Sequence, residues 1–209
     1  RQRQMCIRDR INRKEKMAYT LMPGDTVPNF NPLVSTDRSS YNLDSLPSRP
    51  FNVVFFTCNH CPYVTGSDEL TRELVDSFKE QVNFVAINSN SKNTYGEDSF
   101  ENMVLRMEAN KFPWLYLHDE TQETAKLFGA LKTPHFFLMN SERKLLYTGR
   151  ATDNPLDIEK RKTNDLEKTL EEALAGKEIS NPVTNPIGCN IKWDGKPAHW
   201  MPAEACDLI

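Results

Sequence analysis

At 209 residues the chain is long enough for one sizeable core with a tail and short for two domains. A mean hydropathy of -0.61, 26% charged residues and no run near the roughly 18 apolar residues of a membrane span predict a water-soluble protein without a membrane partner. A formal net charge of -3 argues against nucleic acid as the main partner, and five cysteines do not form the spaced framework of a small secreted domain.

The first sixteen residues carry seven Arg or Lys against Asp9 and Glu15, and no long apolar stretch follows, so they do not read as a signal peptide. The string Met5 to Arg10 reads as translated adapter sequence from the edge of an assembled gene. The natural chain is therefore expected to start at Met17, with 1–16 a non-native or disordered leader. A basic nucleic-acid-binding arm is the alternative. With no secretory segment after Met17, the expected location is the cytoplasm.

Pro23-Gly24-Asp25 predicts a turn, Val27 to Leu33 a short strand, and Leu43 to Leu46 one helical turn before Pro47 and Pro50. Phe51 to Thr57 is a continuous apolar and β-branched run, the pattern of a buried strand. The strand delivers Cys58 and Cys61 to its end. Pro62 suits the first turn of the following helix, where its missing N–H has no intrahelical partner. A Cys-x-x-Cys pair at that junction, in a chain without secretory features, predicts a redox pair. The helix N-terminus and a cationic His60 would both favour a thiolate on Cys58, with Cys61 as the resolving thiol. Two other uses of these thiols stay open. Cys58, Cys61, His60 and a distant ligand such as Cys189 make a zinc set, although no second ligand pair completes the usual spacing; the thiols can also be inert. No cofactor or metal is expected.

Val64 to Glu80 predicts a helix with Leu70, Leu74, Val75 and Phe78 on one face. Val82 to Asn88 is the next strand, followed by the polar run Ser89 to Gly96 at its carboxyl end, where parallel sheets place their sites. Asp98 with Glu101 reads as a capping box opening a helix to about Asn110, whose Met103 and Met107 read as core. Trp114 to Leu117 is a short strand, and Glu120 to Phe128 a helix closed by Gly129. Phe136 to Met139 and Lys144 to Gly149 predict an antiparallel hairpin, and Thr163 to Ala175 the last helix. The segment 177–209 contains four prolines, yet Ile187, Cys189, Ile191, Trp193 and Trp200 predict that it packs on the body or a partner. His118, His135 and His199 have no ligand spacing. The order of elements predicts one α/β domain over 17–176, a three-layer sandwich of a central mixed sheet with helices on both faces.

Cys58-Asn59-His60-Cys61, followed later by Thr133-Pro134 at a strand start, resembles the thioredoxin fold. The leading Pro23-Gly24-Asp25 segment and the insert before Pro134 are similar to the branch containing alkyl hydroperoxide reductase, thiol-specific antioxidant and redoxin proteins. Ala86 to Asn90, Asp119 to Gln122 and Pro186 to Trp193 resemble a bacterial thioredoxin-family, peroxiredoxin-like group. The resemblance implies that Pro134 is the cis proline beside the cysteines and that Thr133 offers its backbone edge to a substrate chain. It implies a thiol–disulfide oxidoreductase acting on protein or small-molecule disulfides through Cys58, Cys61 and His60, and recycled by a reductant of thioredoxin or glutathione type. Thr57 and Asn59 replace residues of thioredoxin proper.

The peroxidase pattern of the branch is incomplete. The position three before Cys58, a threonine in peroxiredoxins, is Phe55, and Thr57 points to the other side of the strand from Cys58. Arg150 is the candidate for the peroxidase arginine. A thiol peroxidase reducing hydroperoxides at Cys58, with Cys61 or Cys189 resolving, is the alternative function; Cys189 reads more readily as a small buried hydrophobe beside Ile187 and Ile191. A non-catalytic binding module is a third reading. Nothing in the sequence fixes an oligomeric state.

Overall fold

The computed structural model describes residues 20–196 together with Met201 and Leu208. The leader, Cys6, His199, Trp200 and Cys206 lie outside the described residues. The core is a seven-stranded sheet of order β2-β1-β5-β4-β3-β7-β8. Its strands are β1 (Leu33–Ser35), β2 (Ser40–Tyr41), β3 (Phe51–Thr57), β4 (Val82–Asn88), β5 (Leu115–His118), β7 (His135–Asn140) and β8 (Leu145–Gly149). β3, β4 and β5 run parallel, while β7 and β8 form an antiparallel hairpin on β3. A separate ladder joins β6 (Lys132–Thr133) to β9 (Cys189–Asn190).

The helices are α1 (Pro62–Thr65), α2 (Asp68–Phe78), α3 (Phe100–Asn110), α4 (Glu123–Phe128) and α5 (Asp165–Leu174). Every residue of β4 is buried, and β3 is buried from Val53 on. A strand covered on both faces gains from apolar side chains at successive positions, so these two read as runs rather than alternations. The pleat sends Val53 and Phe55 to one core, with Leu70 and Leu74 of α2, Met103 of α3 and Leu166 and Leu170 of α5. It sends Val54 and Phe56 to the other, with Ala125 and Phe128 of α4, Val27 and Phe30 of the N-terminal segment, and Ile191 and Trp193 of the C-terminal segment. This is the three-layer α/β sandwich.

Three local expectations differ from the structure. The strand expected at Val27 to Leu33 forms only at Leu33–Ser35, because Pro28 and Pro32 remove ladder donors. The helix expected from Val64 to Glu80 is broken at Gly66 and Ser67 into α1 and α2. At Gly66 a Cβ would sit 2.6 Å from the Pro155 carbonyl oxygen and 2.9 Å from that of Pro62, so the break lets another loop approach closely. The third concerns Asp98. Helix α3 is capped by Ser99, whose side chain accepts from the Asn102 N–H at 3.3 Å, and Asp98 is turned inward instead.

Candidate active site

The site grows from the end of β3. Register pairs Phe56 with His135, so the residues just past β3 lie beside those just before β7. Cys58 therefore meets Thr133, and its Sγ lies 3.4 Å from Thr133 Oγ1. The Thr133–Pro134 bond is cis. Cys61 is the N-cap of α1, with Pro62 as the first helical residue, and its Sγ donates to the Thr133 carbonyl at 3.2 Å. Both cysteines are fully buried. The half-buried Cys189 packs against them from β9, where it stands opposite Thr133.

A second group of residues frames the motif from the loop after β4. Asp98, fully buried, accepts the Asn59 N–H at 2.7 Å through one oxygen and Asn90 Nδ2 at 2.8 Å through the other. His60 Nδ1 lies 2.7 Å from the same carboxylate, outside hydrogen-bond geometry. The His60 ring stacks on Tyr95 at 4.3 Å with the planes nearly parallel. Asn59 is pinned further by donating to the Glu97 carbonyl and accepting from the Tyr116 hydroxyl, both at 2.8 Å. Asp98, Tyr95 and Tyr116 belong to the site although the sequence marks none of them as a site residue, Asp98 reading only as a helix cap. The polar run Ser89 to Gly96 at the carboxyl end of β4 was a signal for Tyr95 alone; Asp98 follows it, and Tyr116 comes from β5.

This arrangement alters the charge logic expected from the sequence. Cys58 Sγ, a His60 ring nitrogen and an Asp98 oxygen all lie within 4.8 Å of one another. The Cys58 thiol is pushed up by its hydrogen bond with Cys61, by burial and by the Asp98 carboxylate, with the Thr133 hydroxyl opposing. The imidazole faces Asp98, so the expected support of a resting Cys58 thiolate by His60 is offset by a buried negative charge. At Cys61 the Thr133 carbonyl takes up the S–H. The bond from Cys58 pulls the Cys61 thiol down against burial, so Cys61 rather than Cys58 is the more acidic sulfur of the pair, and Cys58 keeps its proton. Cys58, His60 and Asp98 offer one ligand atom each and make a cation-competent set, but the Asp98 carboxylate already accepts from the Asn59 N–H and the Asn90 amide, which is why the cluster reads as a frame for the thiols.

The remaining sequence candidates lie further out. Thr57 is buried at the end of β3, paired with Asn88. Arg150 follows β8 and pairs with Asp165 at 2.7 Å, which engages its guanidinium away from the thiols. His135 is fully buried, accepting from the Leu131 N–H at 3.2 Å and facing Thr148 Oγ1 at 3.0 Å. Phe55 stacks on Phe136 at 5.1 Å and meets Trp114 edge-on, so the position three before Cys58 is core.

The Redoxin family profile matches residues 22–170. An uncharacterized conserved protein from Geobacillus kaustophilus is 34% identical over 85% of this chain and 94% of its own, with a TM-score of 0.74. A hypothetical protein from Sinorhizobium meliloti 1021 is 30% identical over 85% and 97%, with a TM-score of 0.79. A peroxidoxin from Mycobacterium tuberculosis shares the fold at 23% identity, over 61% of this chain and 84% of its own, with a TM-score of 0.52. No curated protein matches the chain. With its two cysteines at the strand–helix junction beside a cis proline, the chain belongs to the Redoxin family, in the thioredoxin-like branch of alkyl hydroperoxide reductase and thiol-specific antioxidant proteins, and its function is thiol redox chemistry.

Proposed function

We propose that the protein is a thiol–disulfide oxidoreductase in which Cys58 and Cys61 cycle between dithiol and disulfide. The observation that carries this reading is the shared anchoring of the two sulfurs on one residue. The Thr133 hydroxyl faces Cys58 and the Thr133 carbonyl faces Cys61. An external disulfide takes two electrons from the pair and leaves as two thiols, and the Cys58–Cys61 bond forms in its place. The reverse exchange with a dithiol reductant, of thioredoxin or glutathione type, restores the pair. Protein and small-molecule disulfides are the proposed partners and the cytoplasm the proposed location; among the described residues no helix is long and apolar enough to cross a membrane.

Peroxide reduction is the weaker reading. A peroxidatic thiol needs a hydroxyl and a guanidinium directed at the peroxide. Phe55 fills the first position as core, and Arg150 is paired with Asp165. Stopped-flow oxidation of the reduced protein by a model disulfide and by hydrogen peroxide separates the two. The expected result is fast formation of the Cys58–Cys61 disulfide with the disulfide, and peroxide reactivity no greater than that of an ordinary thiol. Fast peroxide reaction with a sulfenic acid on Cys58 overturns the proposal.

A further inference from the structure

Burial poses a problem of access for any exchange at this pair. Cys58 and Cys61 are both fully buried. The backbone edge of Thr133, the one the family resemblance offers to a substrate chain, is already taken by β9, with Thr133 opposite Cys189 and Lys132 opposite Asn190. No room remains for slack in that pairing. A Cβ at Gly188 would land on the Thr133 carbonyl and close to the Pro134 nitrogen, so only glycine lets the tail lie this near. The sequence after Gly188 then delivers a third thiol. Cys189 packs against the buried Cys58 and Cys61 from its place opposite Thr133, whose carbonyl meets the Cys61 sulfur, and it is the half-buried member of the trio.

We propose that Cys189 is the outer thiol of a three-cysteine relay, carrying disulfide exchange between solvent and the buried pair through a Cys61–Cys189 disulfide. This rests on the oxidoreductase reading above and assigns its point of entry. The Cys189 thiolate attacks an external disulfide, forming a mixed disulfide and expelling one thiolate, which takes up a proton. The Cys61 thiolate attacks the Cys189 sulfur and expels the second external thiolate, which also takes up a proton, leaving Cys61–Cys189. Cys58 then attacks the Cys61 sulfur, and Cys189 leaves as a thiolate that takes the proton Cys58 gives up. The sum is one external disulfide reduced to two thiols and the Cys58–Cys61 pair oxidised by two electrons. Run backwards, with a dithiol as electron donor, the same steps reduce the pair.

The surroundings of Cys189 act on this role in both directions. Burial, then its bond to Cys61, raise its thiol to about 11, while the charges of Lys192 and Lys132 pull it down. Lys132 is held near the ladder, its ammonium donating to Asn190 Oδ1 at 2.6 Å. Two cations at the mouth also suit anionic small disulfides such as oxidised glutathione.

The test is the rate at which oxidised glutathione forms the Cys58–Cys61 disulfide, read by acid quench, alkylation and peptide mapping. Cys189→Ser is expected to slow it by about tenfold or more, and Cys58→Ser to accumulate a Cys61–Cys189 disulfide. Gly188→Ala keeps all three thiols but separates β9 from β6, and is expected to slow exchange while circular dichroism reports an intact fold. Cys189→Ser within about twofold of wild type, or Cys58→Ser giving only glutathione on Cys189 with Cys61 free, overturns the relay and leaves the oxidoreductase reading standing. A wild-type protein that forms no Cys58–Cys61 disulfide with any disulfide overturns the reading itself.

Discussion

Asp98 shows how much one side chain decides here. Its carboxylate holds the Asn59 N–H and Asn90 amide while lying beside Cys58, so it builds the loop and raises the thiol at once. Asp98→Asn removes the charge and keeps an acceptor. Cys58 alkylation by iodoacetamide is then expected to speed up at neutral pH and its profile to move to lower pH, with stability falling by about 1–3 kcal/mol from the disturbed buried bonds. An unchanged alkylation profile would show that the carboxylate does not reach the thiol. His135 makes the matching case in stability. Burial lowers its pKa to about 3. The unfolded chain binds the extra proton below about 6.5, so stability is full above that value and falls as pH drops towards 3, by about 1.4 kcal/mol per unit. Urea unfolding at pH 7, 5 and 4 measures the slope, and His135→Asn is expected to flatten it.

At the scale of elements, the strands were the most legible part. β3 and β4 announce themselves as apolar runs because both faces are covered, and the Cys-x-x-Cys-Pro string fixed the strand–helix junction. What local pattern cannot carry is a contact with a distant loop. The break between α1 and α2 exists because the Pro155 carbonyl presses on Gly66, and no periodicity in Val64 to Glu80 records that. Gly66→Ala is expected to lower stability by about 1–3 kcal/mol in chemical denaturation, since the methyl has nowhere to go without moving backbone. The misreading of Asp98 has a similar origin. Asp98 and Ser99 are adjacent cap formers, and the choice between them was settled by Asn59, almost forty positions upstream. The site therefore split cleanly: the cysteines, His60 and Pro134 could be found from spacing and resemblance, whereas Tyr95, Tyr116 and the polar ring around Asp98 depended on tertiary placement.

On the scale of the whole molecule, the C-terminal segment is structural as well as chemical. Ile191 and Trp193 are buried in the core beneath β3, β4 and β7, and the Asp194 N–H donates to Gln122 Oε1 at 2.8 Å. Trp193→Ala is expected to lower stability by about 3–5 kcal/mol. Because that residue anchors the end of β9, maleimide should also label Cys189 faster in the folded variant than in the wild type. A loss of stability without faster labelling would mean that β9 holds its place through the ladder alone.

The same segment touches the sheet a second time. Before reaching β9 it runs alongside β8, bridging Thr148 and Val183, with the Thr148 N–H on the Pro182 carbonyl and the Thr184 N–H on that of Thr148. The outer border of the hairpin is thus already occupied, and by a stretch containing proline, which cannot extend a ladder. A second copy has no open strand to add to on that side unless the segment lifts. Among the described residues, the opposite border at β2 is the end of the main sheet with no further strand paired to it.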